Sequence, residues 1–528
     1  MAFLLQKNYL AIQFKTPPMQ ANQLKWLIFA LALLKIGFHL YFHDMLEPHR
    51  DELLYFSLGT HPAGGYASVP PMVGILAFLL MKTIGFSALA IKILPALLGG
   101  AMVWLTARLT EQLGGSWFAQ ILAALGIFLA PIFIRPFYLY QPVVFDIFFW
   151  TLLFYFTIRY LNTHQQKYLL YLGIATGFAI LNKHLVVLQL GSLCIAFLLS
   201  TERKVLTQKS FFYAILLCIV IASPNIIWQL SHGLSSIKHI GALNKHQLVH
   251  LSRVNFLKEQ LMMPGIFCLL TCAGLIALLF SQKLSKYRLL GVTLLLVIGI
   301  LFAAKGKGYY TAGVFPLALA AGAVWWETFL KQWYFRITLA GVLVGLSIFL
   351  IPIGIPTDTP EKLAVHFKNF APKYGMEGML RHEDGKIHAL PQDYADMLGW
   401  EELAKITSNA YNQAPDKNNV LIYCENYGQA SAVNILGKKY GLPEPVSFSD
   451  NYYYWFPRKL PASTDTFIYI NDELGEDINN LFADVKLVGK ISNPLAREYG
   501  TQVYLCQQPR RNFSQFWSER VAELESPF

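Results

Sequence analysis

Residues 139–156 read LYQPVVFDIFFWTLLFYF, and this stretch decides the class of fold. Asp146 is its only ionised residue, and the apolar side chains continue long enough to form a spanning helix. A helix needs about 20 predominantly apolar residues to cross a hydrocarbon core of about 30 Å. Across the whole chain of 528 residues, 55% are hydrophobic and 14% are charged, unlike the balance of a soluble globular domain. The sequence therefore predicts a polytopic α-helical membrane protein.

Eleven apolar runs are long enough to be membrane crossings. They lie at 26–43, 88–107, 117–134, 142–161, 168–182, 184–200, 211–229, 261–280, 288–304, 309–330 and 335–353. A further run at 69–86 begins with Pro70 and Pro71 and breaks the alternation of sides, which favours an interfacial or partly inserted helix. If it is instead a full span, another helix is miscounted. We therefore predict eleven crossings, with twelve or thirteen as alternatives.

The charges divide the chain near residue 356. Residues 1–356 hold 26 Lys and Arg against 9 Asp and Glu, whereas residues 357–528 hold 17 against 23. Four short connections of the membrane part are basic: 159–167, 201–209, 281–288 and 331–336. The positive-inside rule places them in the cytoplasm, so the N-terminus is predicted inside and the C-terminus outside. Cations spread over short loops do not form a clustered patch, so no nucleic-acid partner is predicted.

Residues 1–356 are thus predicted to be a membrane-embedded domain, and residues 357–528 an extracytoplasmic α/β domain of unknown role. Its predicted strands are VLIYCEN (420–426), DTFIYIND (465–472), DVKLVGKIS (484–492) and GTQVYLCQQ (500–508), and its predicted helices lie at 400–413 and 428–441. Cys424 and Cys506 either form one disulfide or remain two free thiols.

Acidic residues are concentrated in the first outer connection, which contains HRDELLYFSLGT (49–60). Nine acidic residues occur in residues 1–356, and four of them lie between Asp44 and Glu52. A carboxylate near a bilayer is unfavourable unless it is paired or hydrated. Asp51 and Glu52 are therefore either functional groups or half of a structural ion pair with His49 or Arg50.

Other ionised residues are predicted to face the same side. Asp146, near Gln141 at the outer end of its helix, is either a functional group or the partner of a nearby Lys or Arg. Arg135, Lys183 and the turn KGKGYY (305–310) supply cations. Glycines beside lysines at a helix start expose backbone N–H groups, which favours a phosphate site, and a lipid-headgroup anchor is the alternative.

Six histidines are also predicted on the outer side: His61, His184, His232, His239, His246 and His250. Their spacing is not typical of a metal site, so no metal is predicted from it. Carboxylates, cations and a large apolar bundle on one face suit a reaction on a lipid phosphate. The apolar chain would lie among the helices, the cations would hold the phosphate, and a carboxylate would accept a proton from an incoming hydroxyl.

An ordered series of segments resembles the bacterial members of glycosyltransferase family 39, which have a GT-C fold. The segments are HRDELLYFSLGTHPAGGYASVPPM, IKILPALLGG, LYQPVVFDIFFW, GFAILNKH, SPNIIWQLSHGLSSI and GKGYYTAGVFPLALAAGA. These members are relatives of the protein O-mannosyltransferases and of the lipid A aminoarabinose transferase. The resemblance implies inverting transfer of a sugar from a polyprenyl-phosphate donor to an acceptor hydroxyl on a protein, lipid or polysaccharide. It also implies contact with membrane lipids and a site on the periplasmic face of the bacterial inner membrane.

The resemblance also implies the site residues. Asp51 matches the acidic catalytic position, with Glu52 beside it, and Asp146 matches the second acidic position. The substrate-binding candidates are His61, Tyr66, Arg135, Gln141, Lys183, His232, Lys305, Lys307, Tyr309 and Tyr310. Among these, Lys183 and Lys307 are the predicted phosphate contacts.

One position departs from the aminoarabinose transferases, whose first loop reads Glu-Lys-Pro-Pro. Here Ser68 and Val69 precede Pro70 and Pro71, so that subgroup's acidic metal ligand and phosphate-binding lysine are absent. No cofactor is therefore firmly implied, and this loop does not support a divalent metal. The alternative function is a transporter or flippase of a lipid-linked sugar, which is expected to place ionisable residues near mid-membrane and often to contain inverted repeats.

Overall fold

The computed structural model of the protein describes residues 19–246 and 251–524. The segment up to residue 18, predicted to be cytoplasmic, lies outside the described residues, as does His250. A bundle of helices is followed by an α/β portion, residues 357–524, which we call the tail.

The bundle contains seventeen described helices. They are α1 (Ala21–Tyr41), α2 (Arg50–Leu58), α3 (Met72–Thr83), α4 (Ala88–Gln112), α5 (Trp117–Leu129), α6 (Pro131–Ile134), α7 (Pro142–Thr163), α8 (Lys167–Asn182), α9 (Val186–Leu198), α10 (Lys209–Ser231), α11 (Ser235–His246), α12 (Arg253–Met262), α13 (Cys268–Phe280), α14 (Arg288–Ala303), α15 (Phe315–Phe329), α16 (Trp333–Ile348) and α17 (Ile351–Gly354).

Six of the described helices are long and apolar enough to cross a membrane: α1, α4, α7, α10, α14 and α15, the last two together with the turns that precede them. Helices α12 and α13 form one further apolar unit with a bend of 97°. Four shorter apolar helices, α3, α5, α9 and α16, coincide with other predicted runs. The bundle is therefore the predicted polytopic arrangement, while the number of crossings stays a prediction.

Two predicted runs are broken rather than continuous. The run at 117–134 breaks at Pro131, which has no N–H and disfavours helical backbone in the residue before it. The Nζ of the buried Lys35 donates to the carbonyl oxygens of Phe128 (3.3 Å) and Phe133 (3.2 Å), on either side of the break. These bonds replace helical hydrogen bonds that the break removes, as an apolar environment requires.

The second break lies in the run at 261–280, between α12 and α13. Gly265 has a φ of +58° there, a backbone conformation that residues with a Cβ rarely adopt. The N–H of Ile132 donates to the carbonyl oxygen of Met263 (3.0 Å), which joins this break to the first one. Two irregular segments thus meet at one place in the bundle.

The tail consists of α18 (Pro360–Lys373), α19 (Gln392–Ala395), α20 (Trp400–Gln413), α21 (Tyr427–Leu436), α22 (Glu476–Leu481), α23 (Phe513–Ala522), β1 (Val420–Cys424), β2 (Thr466–Asn471), β3 (Phe482–Lys490) and β4 (Gln502–Pro509). The strand order is β1-β2-β4-β3, with β1 parallel to β2 and the other two pairs antiparallel. This is the mixed α/β arrangement predicted from the order of helical and extended segments.

The two faces of the sheet belong to different hydrophobic cores. Ile422 and Cys424 lie in the core that continues into the bundle, whereas Phe467 and Cys506 pack with α22 and α23 in a separate core. Cys424 and Cys506 are buried free thiols, and their opposite faces prevent a disulfide between them. Of the two alternatives left by the sequence, the structure shows the free thiols.

Hydrogen bonds from backbone N–H groups attach the tail to the start of α2 and to the connection between α1 and α2. One carboxylate oxygen of Glu47 accepts from the N–H groups of Trp400 (2.7 Å) and Glu401 (3.1 Å), at the start of α20. A carboxylate is favourable there because the helix N-terminus carries partial positive charge. The N–H of Arg50 donates to the carbonyl oxygen of Asp396 (3.0 Å). These bonds place the start of α2 directly against the tail.

Gly322→Ala tests the close packing of α13 on α15. A Cβ at Gly322 would overlap the carbonyl oxygen of Leu270, so the substitution should destabilise the bundle by about 1–3 kcal/mol. Gly299→Ala, on α14, is the matched control, because a Cβ there meets no atom within 4 Å. The measurement is the thermal midpoint of the purified protein in detergent. Equal midpoints for the two variants would contradict the packing described.

Candidate active site

A cavity of about 1720 Å³ lies between the bundle and the tail. Side chains of the membrane helices form an apolar wall: Leu185, Leu188, Leu261, Leu346, Phe349 and Leu350. The two helix breaks contribute Pro131 and Met263. The opposite wall is polar and combines the start of α2, the start of α7 and residues of the tail. The cavity can therefore hold a molecule with an apolar chain and a polar head.

The structure divides the predicted site residues into two groups. Those that line the cavity are Asp51, Arg135, Gln141, Lys183, Lys307, Tyr309 and Tyr310. Those outside its wall are Glu52, Asp146, His61, Tyr66, His232 and Lys305.

Asp51 lies in the first turn of α2 with its carboxylate in the cavity wall. Its backbone N–H donates to Nδ1 of His49 (3.1 Å), the residue that caps the helix. The hydroxyl of Tyr427 donates to Oδ1 (3.0 Å), and Nε2 of Gln141 donates to Oδ2 (3.3 Å). The carboxylate is therefore held in one orientation, and its remaining lone pairs can accept a proton from a bound molecule.

Glu52 is adjacent in sequence but has a different environment, because successive residues of a helix point about 100° apart. Its side chain is fully buried, and both of its oxygens lie 2.7 Å from Nζ of Lys92. It also accepts from the N–H groups of Tyr140 (2.7 Å) and His49 (2.9 Å). Lys92, rather than the predicted His49 or Arg50, is the cationic partner, and Glu52 joins α2 to α4 and to the residues before α7.

Lys183 and Lys307 bring two cations to the cavity. Nζ of Lys183 lies 5.4 Å from the ring centre of Tyr309 and 5.0 Å from that of Tyr310. Lys183 also interacts electrostatically with Lys307 and with the buried Asp146. Two neighbouring ammonium groups repel each other, so an anion that contacts both is favoured.

Backbone groups of the KGKGYY turn (305–310) form hydrogen bonds with other residues of the protein. The carboxylate of Glu259 accepts from the backbone of Gly308, and Nε2 of Gln260 donates to the carbonyl oxygen of Gly308 (3.3 Å). The N–H of Gly308, predicted for phosphate, therefore has an internal partner, and the turn presents to the cavity the cation of Lys307 together with Tyr309 and Tyr310. Lys305 has a φ of +53° and lies outside the wall.

The other predicted residues outside the wall support the polypeptide around it. His61 stacks on Trp455, with ring centres 4.2 Å apart, and His232 stacks on Trp228 at 4.1 Å. The hydroxyl of the buried Tyr66 donates to the carbonyl oxygen of Leu58 (3.1 Å). These contacts fix the loop after α2 and the end of α10.

The tail contributes wall residues that the sequence did not single out: Glu383, Asp393, Asp396, Tyr427, Asp450 and Arg497. They are scattered over more than 100 positions, and no local motif contains them. The aromatic run NYYYWFP directly after Asp450 is the nearest sequence signal. Asp450 itself is buried with a φ of +52°, and burial raises its pKa to about 6. This carboxyl therefore titrates close to neutral pH.

One group of side chains has the composition of a metal site. Ligand atoms of His49, Asp393 and Asp396 lie within 4.8 Å of one another. Burial lowers the pKa of His49, and its Nδ1 accepts the N–H of Asp51, so the neutral ring carries its proton on Nε2. Nε2 lies 3.7 Å from a carboxylate oxygen of Asp393 and 3.8 Å from one of Asp396, and Arg497 also pairs with Asp396 (3.2 Å). Ligation through Nε2 would require the ring proton to move to Nδ1, where it would face the N–H of Asp51, so this arrangement does not fit a divalent metal.

Comparison with known proteins places this geometry in context. Residues 68–228 match the family model described as dolichyl-phosphate-mannose-protein mannosyltransferase, a range that contains Asp146 and Lys183 but begins after Asp51. No curated protein sequence matches the chain.

Among solved structures, the chain is similar to ArnT from Cupriavidus metallidurans bound to undecaprenyl phosphate. The TM-score is 0.61 at 12% identity, over 92% of this chain and 98% of that chain. The apo state of ArnT gives 0.57 at 13% identity, with the same coverage. The predicted resemblance, the GT-C-like membrane fold with its small C-terminal sheet domain, and the glycosyltransferase class are confirmed.

Glu52→Gln should destabilise the protein by about 3–5 kcal/mol, because it leaves the ammonium of Lys92 buried without a counter-charge. Lys92→Met alone should also destabilise, and the double variant should recover most of the loss. The thermal midpoint of each purified variant measures this. If the double variant is as unstable as the sum of the single variants, the pair is not coupled.

Asp450→Asn tests the buried carboxyl of the tail. A pKa raised from 3.8 to about 6 means that folding favours the neutral acid. That stabilisation is fully present below pH 3.8 and is lost as the pH rises through 6, by on the order of 3 kcal/mol. Asparagine keeps the neutral form at every pH, so the variant should melt higher than wild type at pH 7.5 and equally at pH 4. The exposed Asp465→Asn is the control and should show no such difference.

Proposed function

We propose that this multi-pass membrane protein transfers a sugar, with inversion, from a polyprenyl-phosphate-linked donor to an acceptor hydroxyl on the periplasmic face of the inner membrane. The observation that carries the proposal is the position of Asp51. Its carboxylate faces a cavity that also contains a cation pair and an apolar wall, so a base, a phosphate site and a lipid site share one enclosure. The family match and the shared fold support transfer of a lipid-linked sugar in general.

The donor is held by two parts of the cavity. The apolar wall from α9, α12 and α16 suits the polyprenyl chain, and Lys183 and Lys307 suit the phosphate. ArnT, which has the same fold, binds undecaprenyl phosphate, and this supports a lipid-phosphate ligand here. Asp146 is buried and interacts electrostatically with Lys183, and its proposed role is to stabilise that cation beside the cavity.

The reaction then needs one proton acceptor and one leaving group. The acceptor oxygen attacks the anomeric carbon of the sugar, the bond from that carbon to the phosphate oxygen breaks, and the acceptor proton moves to Asp51. The polyprenyl phosphate leaves with the electron pair, and the lysines stabilise its added negative charge. A single displacement of this kind inverts the anomeric configuration. Arg135, Gln141, Tyr309 and Tyr310 line the space where the sugar and acceptor meet.

Asp51→Asn should reduce sugar transfer by about two to four orders of magnitude, because the amide cannot accept the acceptor proton. The assay uses purified protein in liposomes and a panel of labelled polyprenyl-phosphate sugars, with membrane proteins, lipids and polysaccharides as acceptors. Asp44→Asn is the control from the same connection, since the side chain of Asp44 is 66% exposed.

Three outcomes distinguish transfer with Asp51 as the base from transfer without it and from transport of the lipid-linked sugar. Loss of transfer in Asp51→Asn but not in Asp44→Asn supports the proposal. Equal transfer by both variants contradicts Asp51 as the base. Movement of intact donor across the bilayer, without cleavage of its sugar–phosphate bond, supports a transporter instead.

A further inference from the structure

We infer that Tyr427, supplied by the tail, is a positioning residue for Asp51, so that the tail is part of the active site. The inference rests on the proposed function, in which Asp51 is the base. It assigns a role in catalysis to a portion of the chain that lies outside the matched family range of 68–228.

The carboxylate of Asp51 is held from two sides by donors on different parts of the protein. Gln141 belongs to the bundle and reaches Oδ2 (3.3 Å), whereas Tyr427 belongs to the tail and reaches Oδ1 (3.0 Å). The phenol donor is the shorter of the two bonds. Without it, the longer bond from Gln141 alone orients the carboxylate, so Asp51 is less often aligned with an acceptor hydroxyl and transfer slows.

Tyr427 is itself rigidly placed. It is the first residue of α21, and the side chain of Asn426 caps that helix by accepting from the N–H groups of Gly428 (2.9 Å) and Gln429 (3.1 Å). Its ring lies 4.4 Å from the guanidinium carbon of Arg50, the residue directly before Asp51. Helix capping on one side and cation–π packing on the other fix the direction of the hydroxyl.

The docking of the tail determines whether this contact exists. Besides the bonds from Glu47, the N–H of the buried Ala67 donates to Oδ1 of Asn451 (2.8 Å). The hydroxyl of Tyr454 donates to Oγ of Ser235 (3.3 Å). These contacts join the tail to the chain before α2, to the chain after α2 and to the start of α11. Docking of the tail therefore sets the position of Tyr427 relative to Asp51.

Tyr427→Phe isolates the hydroxyl, because phenylalanine keeps the ring that packs on Arg50. The variant should transfer sugar about ten- to a hundredfold more slowly, mainly through kcat, since a hydrogen bond to a charged group is removed. The acidic limb of its pH–rate profile should also move to higher pH. The charged and titratable groups that interact electrostatically with Asp51 are His49, Arg50, Tyr55, Arg135, Tyr309, Tyr427 and Asp450, and the variant retains all of them except the Tyr427 hydroxyl. Tyr411→Phe, whose hydroxyl bonds within the tail to the carbonyl oxygen of Lys417, is the control.

The outcomes distinguish this inference from the proposed function. A slower Tyr427→Phe with a shifted pH profile and an unchanged thermal midpoint supports it. Wild-type kcat and pH profile in Tyr427→Phe overturn it, even where Asp51→Asn is inactive. Full transfer by Asp51→Asn overturns the proposed base instead. If Tyr427→Phe melts at a lower temperature, its pH–rate profile is measured at a temperature where the variant is fully folded at every pH tested, and that profile decides because a shift in it cannot then come from unfolding.

Discussion

The buried ion pair between Glu52 and Lys92 determines the geometry of the site. Helix α2 has only nine residues, too few to hold its own orientation, and the pair locks it against α4. Because Glu52 points into the protein, the preceding carboxylate must point to the cavity. Glu52 also accepts the N–H of Tyr140, just before Gln141 and the helix α7 that carries Asp146. One buried interaction thus sets the relative position of three parts of the candidate active site.

A second constraint is that irregular backbone in a membrane protein must find partners within the protein. The breaks at Pro131 and Gly265 meet each other, and the ammonium of Lys35 supplies hydrogen bonds to the freed carbonyl groups. Both breaks border the cavity. These two breaks lie where the cavity is, and their backbone groups find partners within the protein, as expected when unpaired backbone polarity is unfavourable in the bundle.

The sequence predicts the parts of the structure that depend on local pattern. Hydropathy finds most of the spanning helices, and the change in composition near residue 356 finds the α/β tail. Charge placement finds Asp51, Lys183 and Lys307, which line the cavity. What it misses depends on pairing across long distances in the chain: Lys92 lies 40 residues from Glu52, and Tyr427 lies 376 residues from Asp51. The two members of the Asp-Glu pair look alike in sequence, and only the direction of a helix face separates a candidate base from a structural anion.

One face of the tail sheet shares its hydrophobic core with the bundle. Because the ribosome makes the chain from its N-terminus, the two parts of this shared core are synthesised at different times. The helices that form the lipid-facing half of the cavity leave the ribosome first, whereas β4, which completes the sheet, is made near the end of the chain. Under the proposed function, a nascent protein therefore carries its phosphate site, and an Asp51 that lacks its Tyr427 partner, until the last strand pairs. Under the proposed function, catalytic competence begins only when the whole chain has been translated, moved across the membrane and folded back onto the bundle.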